Sequence, residues 1–304
     1  MTIARVITRS NDSPALAKAP QRWRLRRFRP SRGALHVSLI LLCGLWAVPI
    51  LALLVSSFRT RYNMDTTGWW RAGTDTGGLT LNNYLQVLNR NHLGQAFANS
   101  LLITVPAVTM LISVSSVAAF ALARFQFRGR ALMMASIIAL SVVPIQITLV
   151  PILRLYSGAH LAGTFMGVWL VHIGLAMPFA IYLLRNFFAA LPKDLFEASE
   201  IDGCTMLDAF IRIALPLARP ALASVAIFQF IWTWNDLLIA LIFLGGDASV
   251  APLTVSIANL VNATTSQGME LLTASAFVAM SLPMVLFFLL QRYFVRGILA
   301  GAIK

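Results

Sequence analysis

Residues 98–122 read ANSLLITVPAVTMLISVSSVAAFAL, twenty-five positions without an acidic or basic side chain. Wound as an α-helix at about 1.5 Å per residue, the stretch is long enough to cross about 30 Å of hydrocarbon. Open strands of this composition would leave backbone donors and acceptors unpaired in lipid, and only helices or closed barrels avoid that cost. Five further stretches, 36–57, 131–153, 163–184, 220–244 and 271–291, share its character, and the six together hold one formal charge, Asp236. The expected fold is an all-α integral membrane protein of six transmembrane helices.

Composition agrees. The chain has 304 residues, 58% hydrophobic and 12% charged, whereas soluble domains run near 45–50% apolar and about 25% charged. That balance excludes an ordinary soluble enzyme and a disordered chain. The formal charge of +13 is concentrated in residues 1–35, where nine basic groups stand against Asp12. This basic tail abuts an apolar run, which points to membrane lipid as its partner. Trp23 and Phe28 lie in no nucleic-acid-binding motif, so no nucleic acid is expected. Cys43 and Cys204 are too far apart in sequence to suggest metal or disulfide spacing.

Basic loops resist translocation, so Lys and Arg set the orientation. With the amino terminus inside, nineteen basic residues fall on the cytoplasmic side and five outside. An even number of spans returns the chain to its starting side, and both termini are expected in the cytoplasm. Val55–Ser57 resembles a cleavage site, but an apolar core of about 22 residues after a 35-residue leader fits a retained helix better than a signal peptide of about 7 to 15 apolar residues. Pro49, Pro106, Pro144, Pro151, Pro178 and Pro283 fall inside the spans. They suit helices that bend in a protein that opens and closes, or helices whose freed acceptors are met by neighbours.

The cytoplasmic loop 185–219 holds five of the eleven acids. Asp194 with Glu197 predicts a capped short helix, Gly203 a left-handed turn, and Thr205 with Asp208 the start of a second helix. On that second helix Leu207, Phe210, Ile211 and Ala214 share one apolar face before Pro216 interrupts the pattern. The first helix presents Asp194, Glu197 and Glu200 as an acidic ridge, either a solvated face or a docking surface.

Residues 197–216 run Glu197, Ala198, Ser199, three residues, Gly203, nine residues, Ile213, one residue, Leu215, Pro216. This spacing resembles the cytoplasmic signature of binding-protein-dependent ABC importer permeases, Glu-Ala-Ala then Gly then Ile-x-Leu-Pro, with Ser199 where Ala is usual. Phe97, Asn99, Ser100 and Leu101, the stretch AAFALARFQFRGR at 118–130, Trp234-Asn235-Asp236-Leu237-Leu238, and the tail GILAGAIK at 297–304 resemble the carbohydrate-uptake group and its MalG-like subunits. The resemblance spans residues 35–304 and implies a type I ABC importer permease domain at 36–304, behind a basic cytoplasmic tail at 1–35.

The resemblance implies a permease subunit in a bacterial cytoplasmic (inner) membrane, paired with a second homologous permease subunit, two ATPase subunits and an extracytoplasmic solute-binding protein. It would take up a sugar or related polyol. The chain contains no GxxxxGK[ST] sequence, so ATP and magnesium are expected on the partner subunits, no cofactor or metal on this chain, and no catalytic residue in it. The implied ATPase-docking residues are Glu197, Ala198, Ser199, Gly203, Ile213, Leu215 and Pro216, and the outer loop 245–270, with Asn259, Asn262, Thr264, Thr265 and Gln267, would meet the binding protein. Trp232, Trp234, Asn235 and Asp236 either line the solute path or order the bundle through interhelical hydrogen bonds. His172, mid-span, either bonds a neighbouring helix or carries protons. An ion-coupled secondary transporter and an ABC permease for a non-sugar solute are the competing readings. The former should show paired repeats and several mid-depth ionisable groups, and the sequence contains one such acid.

Overall fold

The computed structural model describes residues 31–74, 78–89, 92–263 and 268–302. Most of the basic tail, together with Thr264, Thr265, Gln267 and Lys304, lies outside the described residues. In chain order the helices are α1 (Arg32–Ser57), α2 (Arg61–Thr66), α3 (Asn82–Asn89), α4 (Leu93–Arg124), α5 (Arg130–Leu140) and α6 (Ile145–Gly158). They continue with α7 (Phe165–Ala190), α8 (Asp194–Ile201), α9 (Met206–Leu217), α10 (Arg219–Trp234), α11 (Leu238–Leu244), α12 (Leu253–Ala263) and α13 (Met269–Ala302). The one β interaction among the described residues is an isolated bridge between Arg59 and Leu79.

Four helices are individually long and apolar enough to cross a membrane, namely α1, α4, α7 and the Met269–Gln291 part of α13; the number rises to six if the bent pairs α5 with α6 and α9 with α10 each count as one span. Chain contacts separate Met1–Val48 from Pro49–Lys304. In the first unit the helical side chains, Leu39, Ile40, Leu41, Leu45 and Trp46 among them, are exposed. That is the expected state of a surface whose solvent is lipid.

The second unit is organised on α4 and α7, which lie side by side and parallel. Near their starts Trp169 Nε1 donates to Leu102 O at 2.9 Å, and at their ends Arg124 Nη2 donates to Leu191 O at 2.9 Å. Between these ties the rings of Phe120 and Phe188 meet at 5.7 Å. Since α4 and α7 end together, the chain between them must travel back through the thickness of the bundle, and α5 with α6 makes that return. α10 runs antiparallel to α4, from Ala218 and Ala221 in the cluster around Phe120 up to Trp234, whose ring lies 5.3 Å from that of Phe97.

Two of the expected spans are not single helices. The stretch 131–153 is bent by 100° between α5 and α6. Pro144 ends the continuity because it has no amide hydrogen and its ring restricts the residue before it; it becomes the residue preceding α6. The stretch 220–244 divides at Asn235–Leu237. There the Asp236 carboxylate accepts the amides of Ile239 and Ala240 at 3.3 and 3.0 Å, and Thr254 Oγ1 donates to Asp236 O at 2.5 Å. A side chain and a neighbouring hydroxyl have replaced the helical ladder.

Two of the prolines show how a membrane helix keeps its acceptors satisfied. Pro106 removes the donor that would serve Leu102 O, and Trp169 of α7 supplies one. Pro283 likewise frees Ala279 O, and Trp234 Nε1 donates to it at 2.9 Å. In both places the indole of an adjacent helix stands in for the missing amide.

Candidate functional site

The loop after α7 folds as the elbow that its spacing predicts. α8 ends at Ile201 with Asp202 as its C-cap, Gly203 takes φ +78°, and Cys204 N donates back to Ser199 O at 2.9 Å. This six-to-one bond around a left-handed glycine is a Schellman ending. α9 opens with a complete capping box: Thr205 Oγ1 accepts Asp208 N, and Thr205 N donates to Asp208 Oδ2. The Thr205 hydroxyl, donating to Asp208 Oδ2 at 2.6 Å, is the main reason the Asp208 carboxyl sits below its ordinary range; the Thr205 amide and Arg212 add to the effect.

Three details differ from the sequence reading. Asp194 does not cap α8: Lys193 already has helical φ/ψ, so Asp194 and Glu197 lie in the first turn, where they complement the helix dipole instead. Pro216 does not end α9. The backbone widens to π-type turns over Phe210–Ala214, which accommodates the proline, and the chain continues to a 72° bend at Ala218. Of the four residues assigned to one apolar face, Phe210 and Ala214 are buried while Leu207 and Ile211 are exposed.

That division defines two faces. Inward, Phe196, Ser199, Ala209, Phe210 and Ala214 pack under the ends of α4 and α7, with the Phe120 ring 6.1 Å from Phe196 and 5.0 Å from Phe210. Outward, Glu197, Ala198, Gly203, Pro216, Ile201, Leu207 and Ile211 are exposed; Ile213 and Leu215 are half-buried between the faces. Ser199, at the third position of the signature, faces inward and donates to Phe196 O at 2.8 Å. A patch of exposed isoleucine and leucine bordered by carboxylates has the chemistry of a protein-docking surface.

The residues assigned to the solute path separate. Trp232 and Asn235 are exposed, Asn235 donating to Ile231 O at 2.8 Å. Trp234 is buried, stacked on Phe230 at 5.5 Å, and its only donor serves Ala279. Asp236 is mostly buried, its carboxylate accepting the Ile239 and Ala240 amides of α11, and its Oδ2 lies 3.8 Å from His172 Nε2. Neither ring nitrogen of His172 has a hydrogen-bond partner among the described residues.

At the other end of α4 the chain after α11 is pinned from the side. Asn99 Nδ2 donates to Ser249 O and Ala251 O at 3.0 and 3.1 Å, Gln95 Nε2 donates to Ser249 O at 3.0 Å, and Leu253 N donates to Ser100 Oγ at 2.9 Å.

Residues 111–300 match the family described as binding-protein-dependent transport system inner membrane component. The chain belongs to that family. It is 48% identical over 273 residues to the osmoprotective compounds uptake permease protein GgtD of Synechocystis sp., covering 89% of this chain and 91% of the relative. It is also 48% identical over 232 residues to the alpha-glucoside transport system permease protein AglG of Rhizobium meliloti, covering 74% of this chain and 60% of AglG. The melibiose/raffinose/stachyose import permease protein MelC of Bacillus subtilis is 32% identical, with 84% of this chain and 91% of MelC covered. Among solved structures, a bacterial ABC transporter involved in the import of the acidic polysaccharide alginate superposes with a TM-score of 0.69, covering 87% of this chain and 99% of that one at 21% identity. This establishes the shared fold.

The permease is therefore a multi-pass inner-membrane component of an importer. Sequence reasoning did not find the partners of three groups in it. Arg124 was visible only as one of the cytoplasmic charges, although its position as the last residue of an uncharged helix marks it. Trp169 and Trp234 each stand on a helix that neighbours an internal proline, a relation visible only once the helices are paired. The pinning role of Asn99 and Ser100 needed the loop at 249–253 in place.

Proposed function

We propose that this permease forms, with a second homologous permease subunit, the pathway for ATP-driven uptake of a sugar or related polyol. Its two faces would be served by an extracytoplasmic solute-binding protein and two ATPase subunits carrying ATP and magnesium. In this reading α1, α4, the α5–α6 pair, α7, α10 with α11, and α13 make six crossings, and both termini are cytoplasmic. The parallel pairing of α4 and α7 supports it, since the chain must cross once between them. So does the charge asymmetry of the loops.

The observation that carries the reading is the elbow, with its acidic and aliphatic residues turned outward and its aromatic residues packed under two bundle helices. Glu197, Ala198, Gly203 and Pro216 form the outward part of the docking unit; Ile213, Leu215 and Ser199 seat it. Closure of the ATPase pair on ATP moves the docked elbow and switches the bundle between two states. Names of the relatives support the solute class: osmoprotective compounds, alpha-glucosides and melibiose-type sugars. Of the four candidate path residues, Trp232 and Asn235 have exposed surface to offer a hydroxylated ring.

Glu197→Lys tests the docking role. The variant should insert and accumulate normally yet lose the ATPase subunits on purification and lose ATP-driven uptake. Normal uptake at normal expression would refute it.

A further inference from the structure

We propose that Arg124 is a positioning residue that ties the docking elbow to α4 and carries the elbow's displacement along that helix. The inference rests on the docking role proposed for the elbow. Its covalent connections run to α7 through residues 191–193 and to α10 through the bend at Ala218; neither reaches α4. Beside the packing of Phe120 on the elbow, Arg124 supplies the directional link. Its guanidinium carbon lies 3.8 Å from the centroid of the Phe196 ring on α8, and Nη2 donates to Leu191 O at 2.9 Å. One flat side chain thus holds both the entry to the elbow and its first helix.

The surroundings favour this use over that of a simple orienting charge. A cation that only marks the cytoplasmic side of a helix extends towards lipid headgroups or water. Arg124 instead is half-buried, its fork engaged by a carbonyl and an aromatic face. Arg does both at once because its guanidinium is planar and keeps donors at its edge while its face stacks. Phe120, one turn earlier on α4, reinforces the tie by touching Phe188, Phe196 and Phe210. At its opposite end α4 holds the loop at 249–253 through Asn99 and Ser100. Motion of the elbow therefore has a continuous route to the far face.

The test uses the assembled importer in proteoliposomes, with Cys43 and Cys204 replaced by Ser and Ala248→Cys as a reporter in the exposed loop. The labelling rate of that cysteine by a membrane-impermeant maleimide is measured with and without trapping of the ATPase subunits by ATP and vanadate. In the parent protein trapping changes the rate. In Arg124→Ala, Arg124→Lys and Phe196→Leu the change falls about tenfold, equivalent to about 1.4 kcal/mol of coupling, while the ATPase subunits still co-purify and still trap nucleotide. Lys keeps the charge and loses the stacking plane, so a parent-like response from Arg124→Lys would show an orienting charge and overturn the proposal. Parent-like responses from Arg124→Ala and Phe196→Leu would do the same. Loss of the ATPase subunits from the Arg124 variants would assign the residue to the docking surface and also refute the tie. Glu197→Lys separates the two ideas: retention of the ATPase subunits and of the trapped response in that variant sinks the docking role itself. An unchanged rate on trapping in the parent, with the ATPase subunits bound, would refute the tie and leave the docking role to the Glu197→Lys result.

Discussion

Replacing Trp234 by Phe should destabilise the bundle through one identifiable hydrogen bond, and removing a proline on another helix should return that part of the loss. Trp234 Nε1 donates at 2.9 Å to Ala279 O, the acceptor that Pro283 leaves without its helical partner. Leaving a buried carbonyl unpaired costs about 1–3 kcal/mol. Phe also fills less of the space beside Phe97 and Phe230, whose rings lie 5.3 and 5.5 Å from the indole, and a shortfall of this kind adds about 1–2 kcal/mol. The expected total for Trp234→Phe is about 2–5 kcal/mol. In a Pro283→Ala background the new amide at that position can serve Ala279 O, so the loss should shrink to the packing part alone. Equilibrium unfolding of the four proteins in mixed micelles, arranged as a double-mutant cycle, should measure a coupling of about 1–3 kcal/mol, the hydrogen-bond part. Equal losses from Trp234→Phe in the parent and in the Pro283→Ala background would refute the argument.

Gly203→Ala should weaken the elbow by about 1–2 kcal/mol from backbone strain at φ +78°, because an added Cβ meets nothing within 4 Å; hydrogen exchange of the Cys204 amide should accelerate about tenfold or more, and unchanged protection would count against it. Asp236→Ala removes the acceptor for Ile239 N and Ala240 N and should loosen α11 by about 0.5–2 kcal/mol, seen as faster exchange at those two amides with α10 unaffected. The depressed Asp208 carboxyl makes the start of α9 sensitive to acid: its contribution is complete above the unfolded carboxyl's pKa and is lost as pH falls through the lower folded value. Amide protection at Asp208 should therefore hold near neutrality and decline in strong acid, and Thr205→Val should flatten that dependence.

What the sequence made legible follows physical locality. The elbow could be read because each of its devices acts over three to six residues: a left-handed glycine, a hydroxyl three residues before a carboxylate, and a period-3.6 face. The uncharged stretches were readable for the same reason, since the bilayer acts on composition over about 20 residues. The errors arise where a distant group competes with a local pattern. Hydropathy saw 220–244 as continuous, but the break at Asp236 depends on Thr254, eighteen residues on. The face through Leu207 and Ile211 has the right periodicity, yet which residues are covered depends on where α4 and α7 end. For Trp234 the sequence left a solute path and an interhelical hydrogen bond both open, and its bond to Ala279, forty-five residues away, fits the second.

These long-range bonds also decide which parts of the permease are stiff. From Asn99 to Arg124, α4 is about 37 Å long, and its one internal proline is spanned by a bond from α7. Bending α4 at Pro106 would break that bond or drag α7 with it, so the two parallel helices behave as one beam, clamped together at Leu102 and again at Leu191. Within the beam Pro178 of α7 removes a single ladder donor, whereas the helices break outright between α5 and α6, at Ala218, and at Asn235–Leu237. Rotation at those three joints sacrifices fewer helical hydrogen bonds than flexing the beam. A force applied at the elbow therefore displaces α4 and α7 together and is taken up at the joints. The joint at Asn235–Leu237 adjoins His172 of the beam, where Asp236 Oδ2 and His172 Nε2, 3.8 Å apart, are close enough for a small rotation to bring them into hydrogen-bond contact.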